Sequence, residues 1–246
     1  MLARIEALMG EVKQVTDNVA HDMRTPLTRM RGQLEKACNR QRDPVSDQSL
    51  IENTITELDG ILRTFTSLTR ISQIEARDRT AAFHNVDLTR IASEVVELFD
   101  AAAEERGGHV SLVGDQPAFV TGDRDLLFDS IANVVDNAIK HGREAGRVVV
   151  EVVSTDDGAV ISVADDGPGL PADEHENVFK RFYRVERSRG TPGSGLGLSV
   201  VAAVARLHGA SIEMLDNQPG LRVRLRFPPA AAPAREHAST LGGHAA

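Results

Sequence analysis

The stretch N-V-V-D-N-A-I-K-H-G, residues 133–142, decides how this chain is read. Laid out at about 100° per residue, Leu127, Ile131, Val134 and Ala138 form one tight apolar face. Asn133, Asn137, Lys140 and His141 gather on one flank of that face. A polar flank beside a core-facing stripe borders a cavity at the edge of the core. Asparagine carbonyl oxygens are hard, neutral ligands that suit a Mg2+ ion still holding phosphates and waters. A lysine beside them supplies a phosphate partner. A polar helix flank with satisfied amides fits the segment equally well, so the surrounding sequence has to decide.

Downstream, A-D-D-G-P-G-L-P (164–171) closes an apolar strand. Gly167 and Gly169 permit close backbone approach to a ligand. Asp165, at the strand end, is placed to accept a hydrogen bond from an adenine amino group. Then T-P-G-S-G-L-G-L-S-V (191–200) carries Gly193, Gly195, Leu196, Gly197 and Leu198 straight into a helix. Free N–H groups at such a helix start attract phosphate. The loop lacks the Gly-Lys-Ser/Thr of a Walker loop, and no βαβ unit with an acidic residue surrounds it. Three separated segments therefore point to one nucleotide.

The pattern around them alternates helices and strands. Helices are expected at 88–106, 125–140 and 196–207, and strands at 110–113, 118–121, 147–154, 159–164, 211–215 and 221–227. Asp157-Gly158 reads as a hairpin turn. The segment 171–192 shows no clear periodicity. The final strand alternates Leu221, Val223, Leu225 and Phe227 with Arg222, Arg224 and Arg226, and the arginines read as its solvent face.

Towards the start the pattern is different. Leu2, Ile5, Met9, Val12, Thr16, Val19 and Met23 repeat in a heptad rhythm, and Ile51, Ile55, Leu58, Leu62 and Phe65 make a second stripe. The polar loop N-R-Q-R-D-P-V-S-D (39–47) separates them, with Ser46 or Asp47 capping the second helix. One hairpin has too little core to stand alone, whereas two make a four-helix bundle. A homodimer is therefore expected.

The first stripe carries A-H-D-M-R-T-P-L-T (20–28). With Val19 at a d position, His21 and Thr25 fall on the outer face, four residues apart and so adjacent. Asp22 stands beside the histidine, and Pro26 kinks the helix. A neutral imidazole is a good nucleophile near neutral pH. A carboxylate that takes its Nδ1 proton leaves Nε2 to attack. A lone surface histidine would carry no such meaning. The carboxylate, the proline and the nucleotide segments downstream give it one.

H-D-M-R-T-P-L resembles the H box of sensor histidine kinases, and the later segments resemble their N, G1 and G2 boxes, with V-F-K-R-F-Y-R (178–184) as the F box. The resemblance spans roughly residues 10–228. It implies a helical hairpin dimerising into a four-helix bundle, then an α/β sandwich of the Bergerat or GHKL type with helices on one face of a mixed sheet. It implies His21 as phosphoacceptor, Asp22 as general base or orienter, and Thr25 as the residue that positions water for dephosphorylating a response regulator. Asn137 with Asn133 would hold Mg2+, Asp165 would read the adenine of ATP, and Arg184 and Arg189 would reach the phosphates. Phe182 would help anchor a mobile lid over residues 171–192, unless the box phenylalanines serve core packing alone. His141 departs from the aromatic residue, commonly Tyr, frequent at its position, and H-G-A at 208–210 replaces a frequent H-G-G.

The expected organisation is an upstream coiled-coil end at 1–15, the hairpin at 16–76, a linker at 77–82, the ATP-binding domain at 83–228 and a disordered tail at 229–246. A net charge of −8 argues against a nucleic-acid partner. Cys38 is the only cysteine, so no intrachain disulfide forms. No stretch approaches the roughly 20 apolar residues of a spanning helix. The opening M-L-A-R-I-E-A-L-M-G reads as mid-helix, so the chain is expected to be a piece of a longer protein, and the resemblance implies that this piece is cytoplasmic and its parent anchored in the inner membrane. Two other functions compete. One is an ATPase of the chaperone, topoisomerase or DNA-repair type, which lacks the histidine–acid–proline helix. The other is a dimeric scaffold without turnover.

Overall fold

The computed structural model describes residues 83–185 and 195–230, together with residues 27, 28, 31, 32, 35, 51, 54, 55, 58, 62, 65–67, 69, 71 and 74. The chain divides into two compact units, 1–69 and 70–246.

In the first unit the described residues from Leu27 to Glu35 and from Ile51 to Thr69 are helical, the latter as the second apolar stripe requires, while the first stripe, Leu2 to Met23, lies outside the described residues. Arg31 and Glu35 form an i,i+4 ion pair, and Thr66 and Thr69 return their hydroxyls to the carbonyls of Leu62 and Phe65. Ile51, Ile55, Leu58, Leu62 and Phe65 are all exposed in the single chain. Apolar residues at helical spacing, left open to water, form a stripe that lacks its packing partner. His21, Asp22 and Thr25 lie outside the described residues.

The second unit is a sheet with helices on one face. Its strands are β1 (His84–Asp87), β2 (His109–Val113), β3 (Phe119–Gly122), β4 (Arg147–Thr155), β5 (Gly158–Asp165), β6 (Ser211–Asp216) and β7 (Leu221–Phe227). Its helices are α1 (Leu88–Glu104), α2 (Arg124–His141) and α3 (Gly197–Leu207). The main sheet runs β2-β4-β5-β7-β6, with β2 parallel to β4 and the other pairs antiparallel. β1 and β3 form a separate antiparallel pair, and β1 is a strand that the sequence pattern does not announce.

Alternation along the strands makes the two faces. Val148, Val150, Val152, Ile161, Val163, Val223, Leu225 and Phe227 are buried on the helix side. Ile91, Val95, Leu127, Ile131, Val134, Val135, Val200, Val201 and Val204 supply the helices' share of the core. On the open face Arg222 pairs with Glu151, and Arg224 and Arg226 with Glu213. The arginines are thus on the solvent side, as their alternation predicts, tied to Glu213 on the adjoining β6 and, across β5, to Glu151 on β4.

Each helix start has a local cause. Asp87 caps α1 by accepting from Thr89 N–H at 3.0 Å. Asp123 caps α2 by accepting from the N–H groups of Asp125 and Leu126 at 3.1 and 3.2 Å. α1 ends at Glu104, two residues short of the expected Arg106, because Arg106 and Gly107 turn back on Ala103 and Glu104 carbonyls.

Candidate active site: the nucleotide cleft

The cleft is built where α2 ends, β5 ends and α3 begins. α2 delivers Asn133 and Asn137 one turn apart. Asn133 Nδ2 donates to the Asp129 carbonyl at 2.8 Å, which fixes the amide's orientation. Asn133 Oδ1 lies 3.3 Å, and Asn137 Nδ2 3.6 Å, from where a Cβ on Gly197 would stand. The first residue of α3 therefore abuts both amides. No side chain among the described residues caps α3, so its opening N–H groups remain available to an anion. Leu196, just before it, is fully buried and anchors the turn, while Leu198 is partly exposed.

At the end of α2, Lys140 is held by Asp136 in an i,i+4 ion pair. The His141 imidazole is held below its usual pKa by desolvation first, then by the Arg184 and Lys140 charges, against the opposite pull of Asp165 and Asp136. Arg184 and Asp165 thus both act on His141, one from the F-box segment and one from β5.

Asp165 is the last residue of β5 and only 8 % exposed. Its Oδ1 accepts the N–H of Gly167 at 2.8 Å and of Leu221 at 3.2 Å. Burial pushes the carboxyl pKa up, and the two N–H groups pull it back. A Cβ on Gly167 would stand 2.8 Å from the His141 carbonyl oxygen, so the glycine lets the β5 end close on the α2 end. A Cβ on Gly169 would stand 2.9 Å from the Gly220 carbonyl oxygen. Beside Asp165, Asp166 buries Oδ1 without a hydrogen-bond partner among the described residues.

The F-box segment meets the start of the glycine-rich loop. Phe182 N–H donates to Gly195 O at 3.0 Å, and a Cβ on Gly195 would stand 3.1 Å from Arg184 Cγ. The segment expected to be aperiodic holds two short 3-10 turns, Ala172–Glu174 and Asn177–Phe179, joined by Asn177 Nδ2 donating to the Asp173 carbonyl at 3.2 Å, and the Tyr183 hydroxyl beyond them donates to Glu174. Arg189 and Gly193 lie outside the described residues.

One contributor escapes any local sequence pattern. His208, after α3, is 5 % exposed and stacks on Phe83 with ring centroids 4.7 Å apart. Its Nδ1 donates to the Val204 carbonyl at 2.8 Å, and its Nε2 accepts from Asp123 N–H at 3.0 Å. That ring joins the end of α3 to the cap of α2, the two helices that hold the cleft. Burial lowers its pKa, in keeping with a neutral ring that both donates and accepts.

The donor set fits a purine nucleotide triphosphate with a divalent ion. It offers a buried carboxylate with one oxygen already bonded, two amides, an uncapped helix start and a glycine cradle that a Cβ would fill.

Comparison with known proteins agrees. Residues 122–231 match the family described as histidine kinase-, DNA gyrase B-, and HSP90-like ATPase, and residues 11–77 match the His Kinase A (phospho-acceptor) domain. Sensor protein IrlS of Burkholderia pseudomallei is 30% identical over 236 residues, covering 94% of this chain and 50% of that protein. Sensor-like histidine kinase SenX3 of Mycolicibacterium smegmatis is 33% identical over 222 residues, covering 89% and 56%. The structure of a mycobacterial sensor histidine kinase, MprB, matches 61% of this chain and 99% of that one, at 30% identity and a TM-score of 0.54. The fold alone is shared with histidine kinase ThkA in its complex with a response regulator, at 23% identity and a TM-score of 0.73 over 88% of this chain. The chain spans about half the length of the curated relatives it matches. Two successive domain matches, in the order of the motifs, show that the chain belongs to the sensor histidine kinases of two-component systems and carries their phosphoacceptor domain and ATP-binding domain.

Proposed function

We propose that this chain transfers the γ-phosphoryl group of ATP to His21 and from there to an aspartate of a response regulator. The observation that carries the reading is that α2 sets Asn133 and Asn137 against the uncapped start of α3 and its own end against the β5 end that bears Asp165, in a chain whose first domain matches the phosphoacceptor family. That first domain sets the kinase apart from the chaperone, topoisomerase and repair ATPases sharing the nucleotide fold.

In the proposed step, His21 Nε2 forms the N–P bond while the bond from the γ-phosphorus to the bridging oxygen breaks. ADP leaves with that oxygen's charge, and Asp22 takes the Nδ1 proton. Asn137 and Asn133 would hold Mg2+, which when bound offsets phosphate charge. Asp165 accepts from the adenine amino group. The α3 N–H groups, with Lys140, His141, Arg184 and Arg189, would meet the phosphates, so catalysis is mainly positioning and charge compensation.

The exposed stripe of Ile51, Ile55, Leu58, Leu62 and Phe65 supports a homodimer in which two hairpins close a four-helix bundle. No helix among the described residues is long and apolar enough to cross a membrane. Anchoring of a longer parent at the inner membrane, with this part cytoplasmic, rests on the family.

Radiolabelled ATP tests the central step. Wild type should acquire an acid-labile, alkali-stable label, and His21→Ala should acquire none. Equal labelling of the variant, or acid-stable label, overturns the assignment. Thr25 follows His21 by four residues, a spacing that would make them neighbours on a helix, and this supports a second activity, dephosphorylation of the regulator. Thr25→Ala is expected to label normally while phospho-regulator decays several-fold more slowly in its presence than with wild type. An unchanged decay removes that second activity.

A further inference from the structure

The β6–β7 turn lies outside every motif that marks the nucleotide cleft, yet it closes on the back of Asp165. Leu221 N–H donates to Asp165 Oδ1 at 3.2 Å, and Asn217 Nδ2 donates to the Asp165 carbonyl at 2.8 Å. A Cβ on Gly220 would stand 1.9 Å from that same carbonyl oxygen, so the turn approaches as closely as backbone can. Asn217 N–H donates to the Gly220 carbonyl at 3.1 Å and shuts the turn on itself.

Asn217 is held from its other side too. Its Oδ1 accepts from Arg222 Nη2 at 3.3 Å. Arg222 Nη1 donates to Glu151 Oε2 at 2.9 Å and to Ser162 Oγ at 3.3 Å. The chain of contacts runs from the open face of the sheet, across β4, β5 and β7, to the peptide of the residue assigned to adenine. One carboxylate oxygen of Asp165 is committed to backbone N–H groups, which leaves the other for the purine.

We propose that Asn217 is the positioning residue for base recognition: clamped by Arg222, it fixes the Asp165 peptide so that the remaining carboxylate oxygen meets a purine 6-amino group. The inference rests on the reading of Asp165 as the adenine acceptor. A surface ion pair, Glu151–Arg222, thereby bears on base selectivity from the far face of the sheet. A donor that merely held the turn would affect all nucleotides alike. A donor that aims a carboxylate affects those with a 6-amino group.

The test uses the full chain and calorimetric titration with ATP and with inosine triphosphate, which carries oxygen in place of the 6-amino group. Wild type should prefer ATP at least about tenfold. Asn217→Ala should lose about tenfold in ATP affinity while inosine triphosphate binding stays put, so the ratio collapses. Asn217→Asp keeps an acceptor for Arg222 and loses the donor, and should show the same collapse should the alanine variant not fold. Arg222→Lys should give an intermediate ratio. Equal loss for both nucleotides, or an unchanged ratio, overturns the proposal. A wild type that holds both nucleotides alike overturns the reading of Asp165, and this inference with it.

Discussion

Asp165→Asn should lower ATP affinity by roughly two orders of magnitude and leave the nucleotide-free chain as stable as wild type or more so. The two halves of that result have separate causes. Asn keeps an oxygen where Oδ1 stands, so the N–H groups of Gly167 and Leu221 keep their acceptor. The other oxygen becomes an NH2 group, a donor facing the adenine donor. A mismatched buried pair costs about 3 kcal/mol, which is about a hundredfold. Stability follows the opposite logic. Burial raises the Asp165 pKa above its ordinary value, so the ionised form is the costly one in the folded chain. A raised carboxyl pKa means that stability falls as pH climbs from the ordinary 3.8 through the folded value, and stays reduced above it. Removing the charge relieves that cost at neutral pH. Calorimetry for affinity and a thermal melt without nucleotide separate the two. An affinity within about threefold of wild type would show that Asp165 does not read the base. A clear fall in melting temperature would make it a structural residue instead.

Gly158→Ala is expected to be among the most damaging single changes in the ATP-binding domain. Gly158 opens β5 at φ 128°, and a Cβ there would stand 2.0 Å from the Phe227 carbonyl oxygen. That oxygen belongs to β7, whose Phe227 is paired with Ala159, so the obstacle is backbone within a ladder. Gly209 supplies the control: its φ is 65°, but the nearest atom to an added Cβ is Pro228 Cγ at 3.9 Å. Gly209→Ala should therefore cost only the backbone strain, about 1 kcal/mol. Gly158→Ala adds displacement of the β5–β7 pair and should cost about 3–5 kcal/mol, a fall of roughly 10 °C. Parallel thermal melts decide the matter. Equal falls for the two variants would mean that the strand pair yields freely to the added methyl.

Much of the cleft is legible in the sequence because its parts are local. The flank of α2 follows from a helical wheel, and Asp165 from its place at the end of an apolar run. Asp157-Gly158 announces its own hairpin, and β4 and β5 are indeed joined there. What escapes is long-range. His208 stands 85 residues from the Asp123 N–H that it accepts, and nothing near it signals a partner. Asn217 is 52 residues from Asp165 and sits in a turn with no periodicity to mark its role. The insertion of β7 between β5 and β6 is likewise a choice among strand orders that alternation cannot rank. The caps Asp87 and Asp123 are local features, since each stands just before an apolar helical pattern. Arg222 shows a local expectation that is right and incomplete. It faces solvent, and it also braces Asn217.

The place of β7 bears on how the domain is made. It is the last strand among the described residues but an inner strand of the sheet, between β5 and β6. While a ribosome is still synthesising it, β5 has only β4 for a neighbour, and the edge meant for β7 is open along Ala159–Ala164. That edge carries Val160, Ile161 and Val163, a template for pairing with another nascent chain. Leu221 N–H, which completes the bonding of Asp165, arrives with the same strand. If Asp165 reads the base as proposed, nucleotide cannot rescue a half-made domain by binding to it, because that carboxylate and the sheet interior are finished together. Interval by interval, the polypeptide stays exposed to misassembly until β7 leaves the tunnel, and a chaperone holding β5 in that period would guard the very edge that β7 comes to fill.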